Sequence, residues 1–184
     1  MTPLRLRILL VGANGVVGRC VLHSLQASHD VISASLDLAH GAHEVQLDLS
    51  DATALVTTLK NMGPLDAVIS AAGRARFGAL TDARPASLDA SVYGLGLQDK
   101  LMGQVNLALA AREVLRPGGS ITLTSGTTST EPVLGGAGLS MVNGALIALA
   151  HTPDAATGWG FTGFYDASWF PGLVGFVLGW AIQF

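Results

Sequence analysis

Cysteine is all but missing from this chain of 184 residues: Cys20 stands alone, which excludes an internal disulfide. Its neighbours Val17, Val21 and Leu22 make it read as a small core residue, and a reducing, cytoplasmic setting is expected. Charge is scarce as well. Only 12% of the residues are charged, the formal net charge is −3 and the basic residues are scattered, so the cationic stripe that nucleic-acid phosphates require is lacking. Nucleic acid is not expected as a partner. The first ten residues carry Arg5 and Arg7 but run into a strand-like segment and a glycine turn, without the longer apolar stretch and small-residue cleavage site of an export signal. The five histidines do not group: His40 and His43 lie close together in a loop-like stretch with no third ligand, so no metal is expected. Ser125-Gly126 lacks the GxSxG elbow of an α/β hydrolase.

What the chain has in quantity is apolar surface and glycine. Nearly half of it is hydrophobic (49%) and 23 residues are glycine, which suits a fold whose strands are buried on both faces. The length fits one domain. Apolar runs and helical spacing alternate: a strand over 6–11, a helix over 16–27, strands over 30–35 and 44–47, and a helix over 52–61 capped from Asp48-Leu49-Ser50-Asp51 and ended by Gly63-Pro64. A strand over 65–71 follows, then a mainly helical region over 85–115. Pro117-Gly118-Gly119 resets the chain before a strand over 120–124, and a last helix spans 137–150. This order predicts an α/β fold, a Rossmann-type doubly wound parallel sheet in three α/β/α layers, with ligands beyond the carboxyl ends of the strands.

The strongest local signal is Val11-Gly12-Ala13-Asn14-Gly15-Val16-Val17-Gly18-Arg19, a GxxGxxG run between the first strand and first helix. Glycines let the backbone turn sharply and approach a pyrophosphate, while amides at a helix N-terminus favour its negative charge. A tight strand-to-helix turn with no ligand would account for the glycines alone. An acidic residue at the end of the second strand would accept ribose hydroxyls; Ser35-Leu36-Asp37 stands there, which leans towards NAD, whereas Arg19 pulls the other way.

From Leu6 to about Ala150 the chain resembles the short-chain dehydrogenase/reductase family. The match is carried by Gly12, Gly15 and Gly18, by Asp48 and by Ser70-Ala71-Ala72-Gly73. It continues through Lys100-Leu101-Met102-Gly103, Leu115-Arg116-Pro117-Gly118-Gly119-Ser120 and Ile121-Thr122-Leu123-Thr124-Ser125-Gly126. The resemblance implies an NAD(P)-binding Rossmann domain over 1–150 and NAD or NADP as cofactor. It implies that Asp48 and Leu49 hold the adenine end, and that Ser70, Ala71, Ala72 and Gly73 line the cofactor cleft with Gly12, Asn14, Gly15, Val16, Val17, Gly18, Ser35 and Asp37. It also implies oxidoreductase activity on a small carbonyl or alcohol, and association into a homo-oligomer. In the family a tyrosine protonates the carbonyl oxygen and a lysine four residues on lowers its pKa, with a serine and an asparagine completing the set. Aligned here, Leu139 takes the tyrosine position, Asn143 the lysine position and Lys100 the asparagine position, leaving Ser125. Leucine gives no proton, and a neutral amide cannot stabilise a tyrosinate electrostatically. The catalytic candidates are therefore Ser125, Lys100 as a cation able to polarise a carbonyl, and Asn143 as a ribose ligand. The alternatives for Lys100 and for the whole chain are a solvated lysine beside Asp99 and a catalytically silent dinucleotide-binding protein.

Residues 151–184 break the pattern. They hold Asp154 and Asp166 as their only charges, are crowded with Gly, Trp and Phe, and have poor periodicity. Pro171 and several glycines interrupt the uncharged run from Ala167, so an altered or truncated apolar tail is expected over a membrane anchor. Phe164 to Phe170 does not read as a strand, and Pro171-Gly172 is a weak match to a family Pro-Gly that contacts nicotinamide.

Overall fold

The computed structural model describes residues 5–37, 44–151, 160–166 and 178–183. The elements are β1 (Arg7–Val11), α1 (Val16–Leu25), β2 (Asp30–Ser35), β3 (Glu44–Gln46), α2 (Ala52–Met62) and β4 (Leu65–Ser70). A π-helical stretch (Gly96–Met102) then runs into α3 (Gly103–Ala111), followed by β5 (Leu115–Thr124), α4 (Ala137–His151), β6 (Gly160–Asp166) and β7 (Leu178–Gln183). The strands form one sheet in the order β3-β2-β1-β4-β5-β7-β6. β1 to β5 are parallel, while β7 pairs antiparallel with both β5 and β6. The chain builds outward from β1 to β3 and returns to place β4 on the other side of β1. That reversal opens a crevice beyond the carboxyl ends of these strands.

Burial on both faces follows from the alternation of side chains along β1. Leu9 and Val11 join Leu55 and Leu59 of α2, Leu107, Ala108 and Ala111 of α3, and Val68, Ile121 and Leu123 of the neighbouring strands in the main core. Ile8 and Leu10, also buried, point to the opposite face, where α1 packs on β1 and β2. Continuously apolar strands, not alternating ones, are what such a sandwiched sheet demands.

Several expectations need correction. Helix begins only at Gly94 in the 85–115 region, and β5 starts at Leu115, taking in Pro117-Gly118-Gly119. Gly118 has φ 81°, and the pairing of β4 with β5 shifts register between Leu65 and Ala67, so these residues bulge within a strand instead of ending before it. Residues 160–166, of poor periodicity in the sequence, pair as β6. Cys20 is half-buried, not a core residue. His40, His43, Pro171 and Gly172 lie outside the described residues. Among the described residues no helix is long and apolar enough to cross a membrane.

At the amino end of the sheet Asp66 ties three strands together: its carboxylate accepts from the Arg7 amide at 2.7 Å and from Arg116 Nη1 at 2.8 Å. The Arg7 amide first, and then Arg116, hold its pKa below the ordinary carboxylate value. A carboxylate depressed on folding stabilises the protein above the unfolded-state pKa and ceases to do so as the pH falls through the folded one. Asp66→Ala is therefore expected to cost about 2 kcal/mol at neutral pH. In urea unfolding at acid pH the difference between the two chains should shrink, because there the wild type has lost the charge too.

Candidate functional site

The crevice is built first by glycine. β1 ends at Val11, and Gly12 turns the chain with φ 83° while its amide donates to the Ala34 carbonyl at 2.7 Å. A Cβ on Gly12 would lie 2.7 Å from the carbonyl carbon of Ala71, so only glycine lets the two loops meet. Gly18, buried in the first turn of α1, would drive a Cβ into the Gly12 carbonyl and to 2.7 Å from Ala13 Cα. Gly15 caps α1 in extended geometry, and no side chain accepts from the first-turn amides. These amides and the positive end of the helix dipole make an anion cradle at the mouth of the crevice.

The crevice is a cleft of about 810 Å³. Gly12, Asn14 and Gly15 form its floor; Ser35 and Asp37 from the end of β2 form one wall, Asp48 and Leu49 from the end of β3 a second, and Ala71, Ala72 and Gly73 from the end of β4 the third. Four expected cofactor residues do not line it. Val16 is exposed, Val17 is half-buried, and Gly18 and Ser70 lie buried behind the surface. The walls are fixed by polar contacts. The Asn14 amide donates to Ser35 Oγ at 3.3 Å and its Nδ2 to the Asp37 carbonyl at 2.8 Å, while Arg19 Nη1 donates to the Asn14 carbonyl at 2.6 Å. Asp48 accepts from both the hydroxyl (2.7 Å) and the amide (2.8 Å) of Ser50; these bonds hold its carboxyl below the usual range and keep it charged. Asp51 caps α2, accepting from the Ala54 amide at 2.9 Å.

Sequence reasoning missed the fourth wall, in which Arg74 follows Gly73 and Asp99 comes from the π-helical stretch. The Arg74 amide donates to Asp99 Oδ1 at 2.6 Å, and its Nε and Nη2 lie 2.9 and 2.7 Å from Oδ2. Asp99, with Asp37 and Asp48 beyond it, raises the Arg74 pKa, so the guanidinium is a fixed cation of the cleft. Asp99 adjoins Lys100 in sequence, and the fold gives it a partner 25 residues earlier.

A second polar cluster lies behind that wall. Lys100 Nζ donates to Asn143 Oδ1 at 2.8 Å, Asn143 Nδ2 donates to Thr128 Oγ1 at 2.8 Å, and the Ser125 hydroxyl donates to the Asn143 main-chain carbonyl at 3.0 Å. The three catalytic candidates are thus brought together, but none lines the cleft, and Ser125 is only 1% exposed and Asn143 2%. Burial pushes the Lys100 ammonium below the ordinary lysine pKa, which corrects the solvated-lysine reading. Leu139 is half-buried on α4 and supplies no proton. Gln104, fully buried on α3, was not anticipated: its amide donates to the carbonyls of Thr124 (2.9 Å) and Lys100 (3.3 Å) and accepts from the Thr124 amide at 2.8 Å. It thereby joins the turn that carries Lys100 to the strand end that carries Ser125.

Known proteins place this geometry. Residues 8–116 match the model of the NAD dependent epimerase/dehydratase family. The Listeria innocua protein lin1944 is 33% identical over 78% of this chain and 68% of its own, with a TM-score of 0.68. A small-chain dehydrogenase solved in complex with NADPH is 25% identical over 79% of this chain and 62% of its own, again with a TM-score of 0.68. A short-chain dehydrogenase/reductase from Serratia marcescens, 22% identical over 80% of this chain and 70% of its own, has the same fold with a TM-score of 0.64. No curated protein sequence matches the chain significantly.

Proposed function

Because the chain belongs to the NAD-dependent epimerase/dehydratase family and has the fold of the short-chain dehydrogenases, we propose that it is an NAD(P)-dependent oxidoreductase acting on a small carbonyl or alcohol in the cytoplasm. The observation that carries the reading is the cradle: Gly12 and Gly18 stand where any Cβ would strike backbone, and the uncapped first turn of α1 opens between them. Such a cradle fits a pyrophosphate. Gly12, Asn14 and Gly15 would hold it, Asp48 and Leu49 the adenine, and Asp37 the adenosine ribose, a wall that leans towards the unphosphorylated coenzyme. A bound nicotinamide would supply the hydride. Of this chain's own groups, Lys100 would polarise the carbonyl oxygen, Asn143 would hold the ammonium in place, and Ser125 would fix the Asn143 main chain from behind.

Two observations favour a second reading, a silent dinucleotide-binding protein: Leu139 occupies the proton donor's position, and Ser125 is closed off from the cleft. Absorbance of NADH and NADPH in the presence of small aldehydes and ketones separates the two. Turnover that Lys100→Met reduces by about a hundredfold is the expected result for a cation placed on the carbonyl oxygen. Coenzyme binding with no turnover of any carbonyl would leave the silent reading.

A further inference from the structure

The cleft is open, whereas in the neighbouring cluster Asn143 is buried and Lys100 half-buried, and what separates the two is a length of chain without helix or strand, residues 73–78. It runs from the cleft wall across the seam where the π-helical stretch meets α4, the seam that Lys100 and Asn143 bridge. Its seats are glycines. Gly73, at φ 128°, lies so close to Lys100 that a Cβ would come within 2.9 Å of the lysine Cα. A Cβ on Gly96 would meet Ala75 at 3.1 Å and Val142 at 3.2 Å; one on Gly138 would come 3.5 Å from the Arg76 carbonyl. Few side chains interlock here, and Arg76 and Phe77 point outward as exposed residues. Hydrogen bonds hold the strap at its two ends, the Arg74–Asp99 set at one and the Gly78 amide on the Gly135 carbonyl at the other, 2.9 Å.

We propose that this strap is latched over the Lys100–Asn143 cluster by Arg74 and Asp99, and that a phosphate-bearing ligand in the cleft opens it by drawing the Arg74 guanidinium from the carboxylate. The inference rests on the dinucleotide reading above and supplies its regulation. The Arg74 side chain is 66% exposed and that of Asp99 24%, so the guanidinium half of the latch stands in water, open to exchange with a competing anion. Asp99 gives the guanidinium one oxygen only, Oδ2, its Oδ1 being taken by the Arg74 amide, whereas a phosphate offers the guanidinium a two-oxygen fork. Behind the strap Lys100 has a neutral amide oxygen as its partner, and among the described residues no ion pair includes it. An opened strap would therefore present an ammonium not already neutralised by a carboxylate.

The chain has two lysines, Lys60 and Lys100, and Lys60 lies exposed on α2 far from the strap in sequence, so each experiment carries its own control. Reductive methylation of the full chain with formaldehyde and borane, read by peptide mass spectrometry, gives the Lys100/Lys60 labelling ratio. ADP is the probe, because it brings two phosphates without a nicotinamide that would shield Lys100. The ratio is expected to be low in the free protein and to rise with saturating ADP. In Asp99→Asn it should rise about fivefold with no ligand, the population change that losing one exposed ion pair supports. Should the variant not fold, the ADP effect on the wild type decides alone. ADP that binds by calorimetry and leaves the ratio unchanged overturns the latch. If neither NADH, NADPH nor ADP binds, the dinucleotide reading fails, and inorganic pyrophosphate then tests the latch by itself: a raised ratio upholds it and an unchanged one overturns it.

Discussion

A Gly12→Ala chain is expected to lose dinucleotide binding by more than about a hundredfold and to unfold about 3 kcal/mol more easily than the wild type. Two costs add at this position. The residue has φ 83°, which an L side chain rarely adopts, and the new Cβ would lie 2.7 Å from both the Ala71 carbonyl carbon and the Ala72 amide nitrogen. Neither is a flexible side-chain tip that can swing away; both belong to the loop that forms the cleft wall, so relief of the clash must widen the cradle. Gly118→Ala separates the two costs. Gly118 has nearly the same φ, 81°, but nothing lies within 4 Å of its Cβ position, so the substitution should cost only the conformational part, about 1 kcal/mol, and leave coenzyme affinity unchanged. Equal destabilisation by the two changes in urea would mean that close approach of the loops contributes nothing.

Gln104→Leu is expected to remove about 3–4 kcal/mol, a large share of a domain's net stability. The side-chain amide both accepts from the Thr124 amide and donates to its carbonyl, extending β5 beyond Ile69–Thr122, the last register pair of β5 with β4. Leucine of similar size fills the space and leaves both main-chain groups unpartnered, and stranding a desolvated donor and acceptor costs more than an ordinary hydrogen bond returns. Gln104 does not line the cleft, so NADH affinity at low temperature should persist while the unfolding midpoint in urea falls. Loss of affinity with unchanged stability would place Gln104 in the wrong role.

Local chemistry explains which parts were legible from sequence. The glycines at 12, 15 and 18 announce the strand-to-helix turn because their reason is backbone geometry within a few residues. Asp51 and Gly63 mark the two ends of α2 for the same reason, the first by capping and the second by a φ of 78°. The apolar runs of β1, β2 and β4 were plain because a sheet covered on both faces needs them. Long-range pairing was not legible. Asp99 and Lys100 are adjacent in sequence, and only the fold carries the first to Arg74 while sending the lysine to Asn143. Gln104 carries no signal of its own among the apolar residues of α3, since its purpose is the end of a strand 20 residues on, past the last register pair with β4. Pro117-Gly118-Gly119 reads as a break in any window and proves to be a bulge, because a strand already begun at Leu115 can absorb residues that would end a new one.

In the proposed function the first turn of α1 receives the paired phosphates of a nicotinamide coenzyme. Isothermal calorimetry of the folded chain against NADH and NADPH measures this directly. One-to-one binding of at least one of them, abolished by Gly12→Ala and retained in Gly118→Ala, is the predicted result; no heat of binding from either coenzyme on well-folded protein would contradict it.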